Sequence, residues 1–267
     1  MTDNKPALSI VKISGKKYEN KADFAETAAD FHALAGYKIL SHGAGVGITE
    51  ELKKPEYSGL ALPNPPTKDG LRITPAPVLE VVEKVVLGIN EDITNTLNGF
   101  CDGRVAYVGH KKTGILVNSE QMPKAADGTD FGFVGKIYPG CVCVSMITEF
   151  LRNSLYPVIH CLTSNKDRGG IWNTNADHVA EGVARELGRF FEVVLYMLSD
   201  VSGVLDADKE IIPEITKENY PALKAAGVIT DGMAVKCESM LNLVAESNIS
   251  KIIITNRISN ANRTIVM

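Results

Sequence analysis

The sequence predicts an α/β protein built on a mainly parallel sheet with helices on both faces, and three observations carry that prediction. Short apolar runs alternate with helix-length stretches along most of the 267 residues, which is the βαβ alternation of a parallel sheet. The runs LSIVKIS, YKILSH, RVAYVG, YPVIHCL, EVVLYML and KIIIT are largely apolar, as strands covered on both faces require. Glycine-bearing turns follow the first two, where a parallel strand hands over to the next helix.

Taken in chain order, LSIVKIS carries the most informative single residue. Lys12 is an ammonium inside an apolar strand, desolvated unless it meets an anion; the alternative is an edge lysine that snorkels to water. Phe24, Ala28, Phe31 and Ala35 then recur at helical spacing and read as core. The turns at Gly15 and at Gly43-Ala44-Gly45 offer backbone N–H groups to an anion, phosphate being the natural guest. Ile48 stands where GxGxxG needs its last glycine, and neither Gly-Lys pair has the glycine that GxxxxGK[ST] needs, so the dinucleotide and P-loop readings weaken.

SGLALPNPPTKDG, with three prolines and an Asp-Gly turn, predicts a hairpin or lid over about 57–74. Arg72 beside it can grip a carboxylate bidentately or stand exposed on a strand, and the residue alone leaves both open. Leu79, Val82, Val86 and Leu87 mark the next helix, and GINED after it reads as a short connection. The irregular TSNKDRGGIW marks the division into lobes, 1–165 and 166–267.

Asn173, Asn175 and Asp177 then head the helical stripe Ala176, Val179, Ala180, Val183, Ala184 and Leu187. A cap needs one such residue, so three exceed the structural requirement and point to function. Lys236 flanks the stripe Met233, Cys237, Met240, Leu241 and Val244 in the first turn of a helix after Gly232. Taken alone it reads as a solvated surface lysine. RISNANRTIVM closes the chain as a returning edge strand.

Composition narrows the partners. With 45% hydrophobic and 22% charged residues the chain is of the soluble globular class. A net charge of −4 without a Lys/Arg block leaves no footprint for nucleic acid or an anionic membrane, so small-molecule ligands are expected. Five cysteines without CxxC or Cys/His spacing indicate neither a disulfide framework nor a metal site, and suggest reduced thiols in the cytoplasm. No apolar run approaches the ~18 residues of a membrane span, and the N-terminus lacks the plan of a signal peptide.

In order, these segments resemble the amino acid kinase family, most closely its acetylglutamate kinase branch. Lys12-Ile-Ser-Gly15 resembles the family's KxGG turn, HGAG its HGGG turn, and GLRITPAPVLEVVEKVVLG its GLRxT segment with the following helix. GFVGKI, NTNAD, LSDVSGVLD and DGMAVK match later segments in the same order, from Ile10 to Asn256. The resemblance implies an αβα sandwich on an eight-stranded sheet, with an N-terminal lobe for an acyl amino acid and a C-terminal lobe for ATP. It implies catalysis by Lys12 and Lys236 with Asp177 positioning both, and phosphate contacts at Gly15, Gly43, Ala44 and Gly45. Arg72, Asn173 and Asn175 would bind the acyl amino acid, and Ser199, Asp200, Gly203, Gly232 and Met233 the nucleotide.

The implied reaction is transfer from ATP to the γ-carboxylate of N-acetyl-L-glutamate, with Mg²⁺ held through the nucleotide phosphates and no metal ligand on the protein. Ser14 and Ala44 replace glycines of the family turns, and GHKKTG lacks the family's aspartate. These departures leave two alternatives: another N-acylglutamate or a small or carrier-linked carboxylate as substrate, or a weakened member that senses nucleotide or amino acid. Only MTDNKPA precedes Leu8, from which a homodimer without arginine feedback is expected.

Overall fold

The computed structural model describes residues 5–109, 116–165, 167–206, 208–229 and 231–267. Most of the GHKKTG loop, and with it the missing aspartate, lies outside the described residues.

β1 (Ala7–Ile13) leads into α1 (Gly15–Glu19) and α2 (Lys21–Ala33), and β2 (Tyr37–His42) into α3 (Gly45–Leu52). The hairpin of β3 (Thr67–Lys68) and β4 (Leu71–Arg72) precedes the long α4 (Ala76–Phe100) and β5 (Val105–Tyr107). Next come β6 (Asn118–Gln121), β7 (Gly135–Lys136), α5 (Val144–Arg152), β8 (Tyr156–His160), β9 (Leu162–Asn165) and β10 (Ile171–Asn173). The remainder is α6 (Ala176–Leu187), β11 (Glu192–Leu198), β12 (Glu214–Ile215), α7 (Tyr220–Ala225), α8 (Asp231–Ser247), β13 (Ile249–Thr255) and β14 (Thr264–Val266).

The main sheet has eight strands in the order β12-β14-β13-β11-β1-β2-β8-β5. All neighbours are parallel except β13 and β14. The apolar runs follow from cover on both faces. Val11, Ile13 and Leu40 pack into one core with Phe24 and Phe31 of α2 and Ile93 and Leu97 of α4. Ile10, Ile39 and Leu195 pack into the other with Val179 and Val183 of α6 and Met240 and Leu241 of α8. A second sheet, β10-β9-β6-β7, lies outside any sequence expectation. The lobe division drawn between 165 and 166 falls in the turn joining the paired strands β9 and β10.

Four local expectations are corrected. GINED is no connection: α4 runs unbroken for 25 residues. The polar Asn90 is accommodated because its Nδ2 donates to Val108 O at 2.8 Å and its Oδ1 meets His42 Nε2 at 2.9 Å. Ala35 lies beyond α2, which ends at Ala33. β14 is not the edge, since the two-residue β12 adds outside it. Lys236 sits in the second turn of α8 rather than the first, because the helix already begins at Asp231. The lid segment does form a hairpin, and its turn residues Asp69 and Gly70 have φ of 52° and 75°. Those positive values are what Asp-Gly supplies in a two-residue hairpin turn.

Candidate active site

The site lies at the C-terminal ends of β1, β2, β11 and β13, where an open parallel sheet leaves a crevice. Two cavities meet there. One of about 490 Å³ is lined by Lys12, Gly15, Gly43, Ala44, Gly45, Arg72, Asn173 and Asn175, among others. The second, about 640 Å³, is lined by Asn175, Asp177, Ser199, Met233 and Lys236. Lys12, Gly70 and Asn175 border both.

Lys12 occupies the end of β1 between Ser41 and Met197. It shares the parity of Leu8 and Ile10, so its side chain turns to the α6 side. There its Nζ lies 2.5 Å from Asp177 Oδ1, with 13% of the lysine side chain exposed. The contact is an ion pair rather than an aligned hydrogen bond, since Oδ1 has no partner at hydrogen-bond angles. Lys236, brought by α8 and 60% exposed, places its Nζ 4.0 Å from the other carboxylate oxygen. Burial pushes the Asp177 carboxyl up, but the charge of Lys12, its direct contact and the charge of Lys236 more than offset this, so the carboxyl stays below its ordinary value.

The two glycine turns touch. A Cβ on Gly15 would sit 3.3 Å from the Ala44 backbone, whereas one on Gly45 would meet nothing within 4 Å. Ser14 has φ −79° and caps α1, its Oγ accepting from Lys17 N at 3.1 Å; Ala44 has φ −139°. Neither residue occupies the left-handed region, so the replaced glycines cost no backbone strain. Gly45, Val46 and Ile48 of α3's first turn line the smaller cavity, at the end of the helix whose N–H groups lack intrahelical partners and which is the positive end of its dipole.

Arg72 Nη2 donates to Gly45 O at 3.0 Å and to Thr49 Oγ1 at 2.6 Å, which fixes its guanidinium at the smaller cavity. Burial lowers its pKa, and among the described residues it forms no ion pair. The three polar residues before α6 divide their work. Asn175 is the helix cap, its Oδ1 accepting from Asp177 N at 2.8 Å. Asn173 ends β10 and donates to Thr74 Oγ1 at 3.1 Å. Asp177 holds the lysines.

The residues expected to meet the nucleotide scatter more. Ser199 lines the larger cavity. Asp200 instead accepts from Lys16 Nζ at 2.6 Å, an exposed tie between the first glycine turn and the loop after β11. Gly203 lines neither cavity; a Cβ there would lie 2.6 Å from Thr264 Oγ1, so its glycine reflects packing. Gly232 sits in the first turn of α8, and Met233 after it lines the larger cavity with Met197, Met240 and Ile254.

Lys16, Thr49, Cys161 and Thr174 line the smaller cavity, and His178, Glu181 and Ser239 the larger, without having been singled out in the sequence. Glu181 was findable, since it lies four residues beyond Asp177 on one helix face. Thr49 and Cys161 carry no such signal.

The model of the amino acid kinase family matches residues 7–256. The acetylglutamate kinase of Phocaeicola vulgatus is 30% identical over 255 residues, covering 94% of each chain. Among solved structures, the N-acetylglutamate synthase of Neisseria gonorrhoeae complexed with coenzyme A and N-acetyl-glutamate superposes with a TM-score of 0.73 at 17% identity, over 97% of this chain and 59% of that one. The carbamate kinase of Giardia lamblia bound to AMP-PNP gives 0.67 at 13% identity, over 100% of this chain and 99% of that one. With the αβα sheet order, the site at its strand ends and a family match over nearly the whole length, the chain belongs to the amino acid kinase family.

Proposed function

We propose that the protein transfers the γ-phosphoryl group of ATP to the γ-carboxylate of N-acetyl-L-glutamate, giving N-acetyl-L-glutamyl 5-phosphate and ADP, a step of arginine biosynthesis. The observation that carries this reading is the meeting of two cavities at Lys12, with one carboxylate, Asp177, holding Lys12 and Lys236 on either side. Near 30% identity to several acetylglutamate kinases over most of both chains supports the substrate.

The smaller cavity suits the acyl amino acid. Arg72 is a fixed guanidinium without an anionic partner there, matched to an α-carboxylate, and Asn173 and Asn175 line the same space. The larger cavity suits the nucleotide, with Met197, Met233, Met240 and Ile254 for an apolar base and the lysines for the phosphates. Attack by a carboxylate on ATP brings two anions together, and positive charge set in place beforehand lowers that barrier. Lys12, Lys236 and the glycine-turn N–H groups supply it, while Asp177 keeps the ammonium groups aimed inward. No general base is required, because a carboxylate is already ionised at neutral pH.

Mg²⁺ is taken to arrive on the nucleotide phosphates and to add charge there; among the described residues no group of three or more His, Cys, Asp or Glu side chains is placed to hold a metal. We further propose a cytoplasmic homodimer whose N-terminal half serves as the acyl-amino-acid lobe and whose C-terminal half serves as the ATP lobe. No helix among the described residues is long and apolar enough to cross a membrane. Against the sensing alternative, Lys12, Asp177 and Lys236 are all present and meet, and Ser14 and Ala44 sit without backbone strain.

The test is ADP release with Mg²⁺-ATP and N-acetyl-L-glutamate, with hydroxylamine trapping the acyl phosphate as a hydroxamate. Glutamate, N-succinylglutamate and N-acetylaspartate serve as comparison acceptors. Hydroxamate formed preferentially from N-acetyl-L-glutamate is expected; preference for another acceptor overturns the substrate assignment.

A further inference from the structure

The larger cavity has two carboxylates that the phosphoryl-transfer scheme leaves unused, Asp69 in the β3–β4 turn and Glu181 on α6, and Glu181 is the one that shares a helix with Asp177. It stands one turn beyond Asp177 on α6 and lines the same cavity as Asp177, Lys12 and Lys236. Among the described residues it has no hydrogen bond or ion pair, whereas Asp177 is engaged by both lysines. The charged groups around it can be enumerated by element. α6 carries Asp177, His178 and Arg185, β1 carries Lys12, α8 carries Lys236 and the β3–β4 turn carries Asp69. β11 contributes only the uncharged Met197, Leu198 and following Ser199 to this cavity. Lys38 and His42 of β2 turn to the opposite layer, against His32 and Asn90.

With Glu181 ionised, two lysines face three carboxylates, Asp69, Asp177 and Glu181, and the cavity presents one net negative charge to a polyphosphate. With Glu181 neutral, the charges balance. Resting on the nucleotide reading of this cavity, we propose that Glu181 is a positioning residue that takes a proton from solvent when a nucleoside polyphosphate enters, so that nucleotide binding is coupled to proton uptake. Burial, followed by the charge of Asp177, already pushes its carboxyl up to about 7 in the free protein; bound phosphates push it further. Burial lowers His178, which is therefore neutral above that range. The sign follows: affinity is level below the free value and falls as pH rises above it, because binding must then supply the proton.

Titration calorimetry of the full-length protein with Mg²⁺-ADP in two buffers of different ionisation enthalpy counts the protons taken up. At about pH 8, where the nucleotide phosphates are already ionised, wild type is expected to take up roughly half to one proton more than Glu181→Gln. The Gln variant is expected to bind ADP roughly three- to tenfold more tightly there and to lose the fall in affinity with pH. Equal uptake by the two proteins overturns the inference and leaves the nucleotide cavity standing; absence of ADP binding by wild type overturns both. If Glu181→Gln does not fold, wild type alone decides, since no proton uptake and no fall in affinity between about pH 7 and 8.5 equally overturn the inference.

Discussion

At Lys12 one side chain borders both cavities, and its partner Asp177 also reaches Lys236, yet the two lysines are held differently. Lys12 is mostly buried at 2.5 Å from the carboxylate, while Lys236 is 60% exposed at 4.0 Å. Removing either preorganised charge by Lys12→Ala or Lys236→Ala is expected to lower kcat about a hundredfold or more in a coupled ADP assay. Stability separates them: Lys12→Ala leaves Asp177 buried and half-paired and is expected to cost about 3 kcal/mol in denaturant unfolding, whereas Lys236→Ala should change unfolding little, since exposed pairs contribute little. Near-parent kcat in either variant removes that lysine from the transfer step. Arg72 differs again, because its planar fork is pinned by Gly45 O and Thr49 Oγ1. A lysine offers only a point charge, so Arg72→Lys is expected to raise KM for the acyl amino acid roughly tenfold to a hundredfold, with a smaller effect on kcat. A change confined to KM for ATP would relocate that residue.

Elements place these side chains by simple periodicities. β1 alternates between two cores, which is why an apolar run can present one lysine to α6 without exposing its neighbours. α6 begins at Ala176, capped by Asn175, which sets Asp177 in the first turn, facing the end of β1. The loop after β11 is held by packing as well as by its Lys16–Asp200 tie. Val204 N donates to Thr264 Oγ1, which donates in turn to Ile212 O, so the hydroxyl cannot retreat from a new methyl on Gly203. Gly203→Ala is therefore expected to destabilise by about 1–3 kcal/mol in thermal or denaturant unfolding. Its kcat should stay within about twofold of the parent's, because Gly203 lines neither cavity and removes no preorganised charge. A large fall in kcat without loss of stability would return Gly203 to the nucleotide site.

Over the whole molecule, β1 and β11 pair along their length, so a single continuous sheet carries the two cavities side by side. That arrangement brings Lys12 and Lys236 to one carboxylate. It also links any displacement of α8 to the spacing of the charges, since Lys236 is carried by that helix. For the proposed homodimer, light scattering is expected to return twice the 28.8 kDa chain mass; a monomer or a hexamer would overturn that assembly.

The α/β class, six of the eight strands of the main sheet and the Asp69-Gly70 hairpin turn are legible in the sequence, because each rests on local periodicity or on backbone freedom of single residues. The sequence also singled out Lys12 and the Asn173–Asp177 segment, since a lysine in an apolar strand and a surplus of capping residues are anomalies visible without coordinates. Other roles depend on contacts made across the fold. Asn90 stays inside α4 because His42 and Val108 satisfy it. Gly203 is glycine because Thr264 lies against it, and Asp200 turns to Lys16. Glu181 is left without a hydrogen bond or ion pair among the described residues, in the larger cavity. Each of these depends on which distant groups surround a side chain, and local sequence patterns do not encode that.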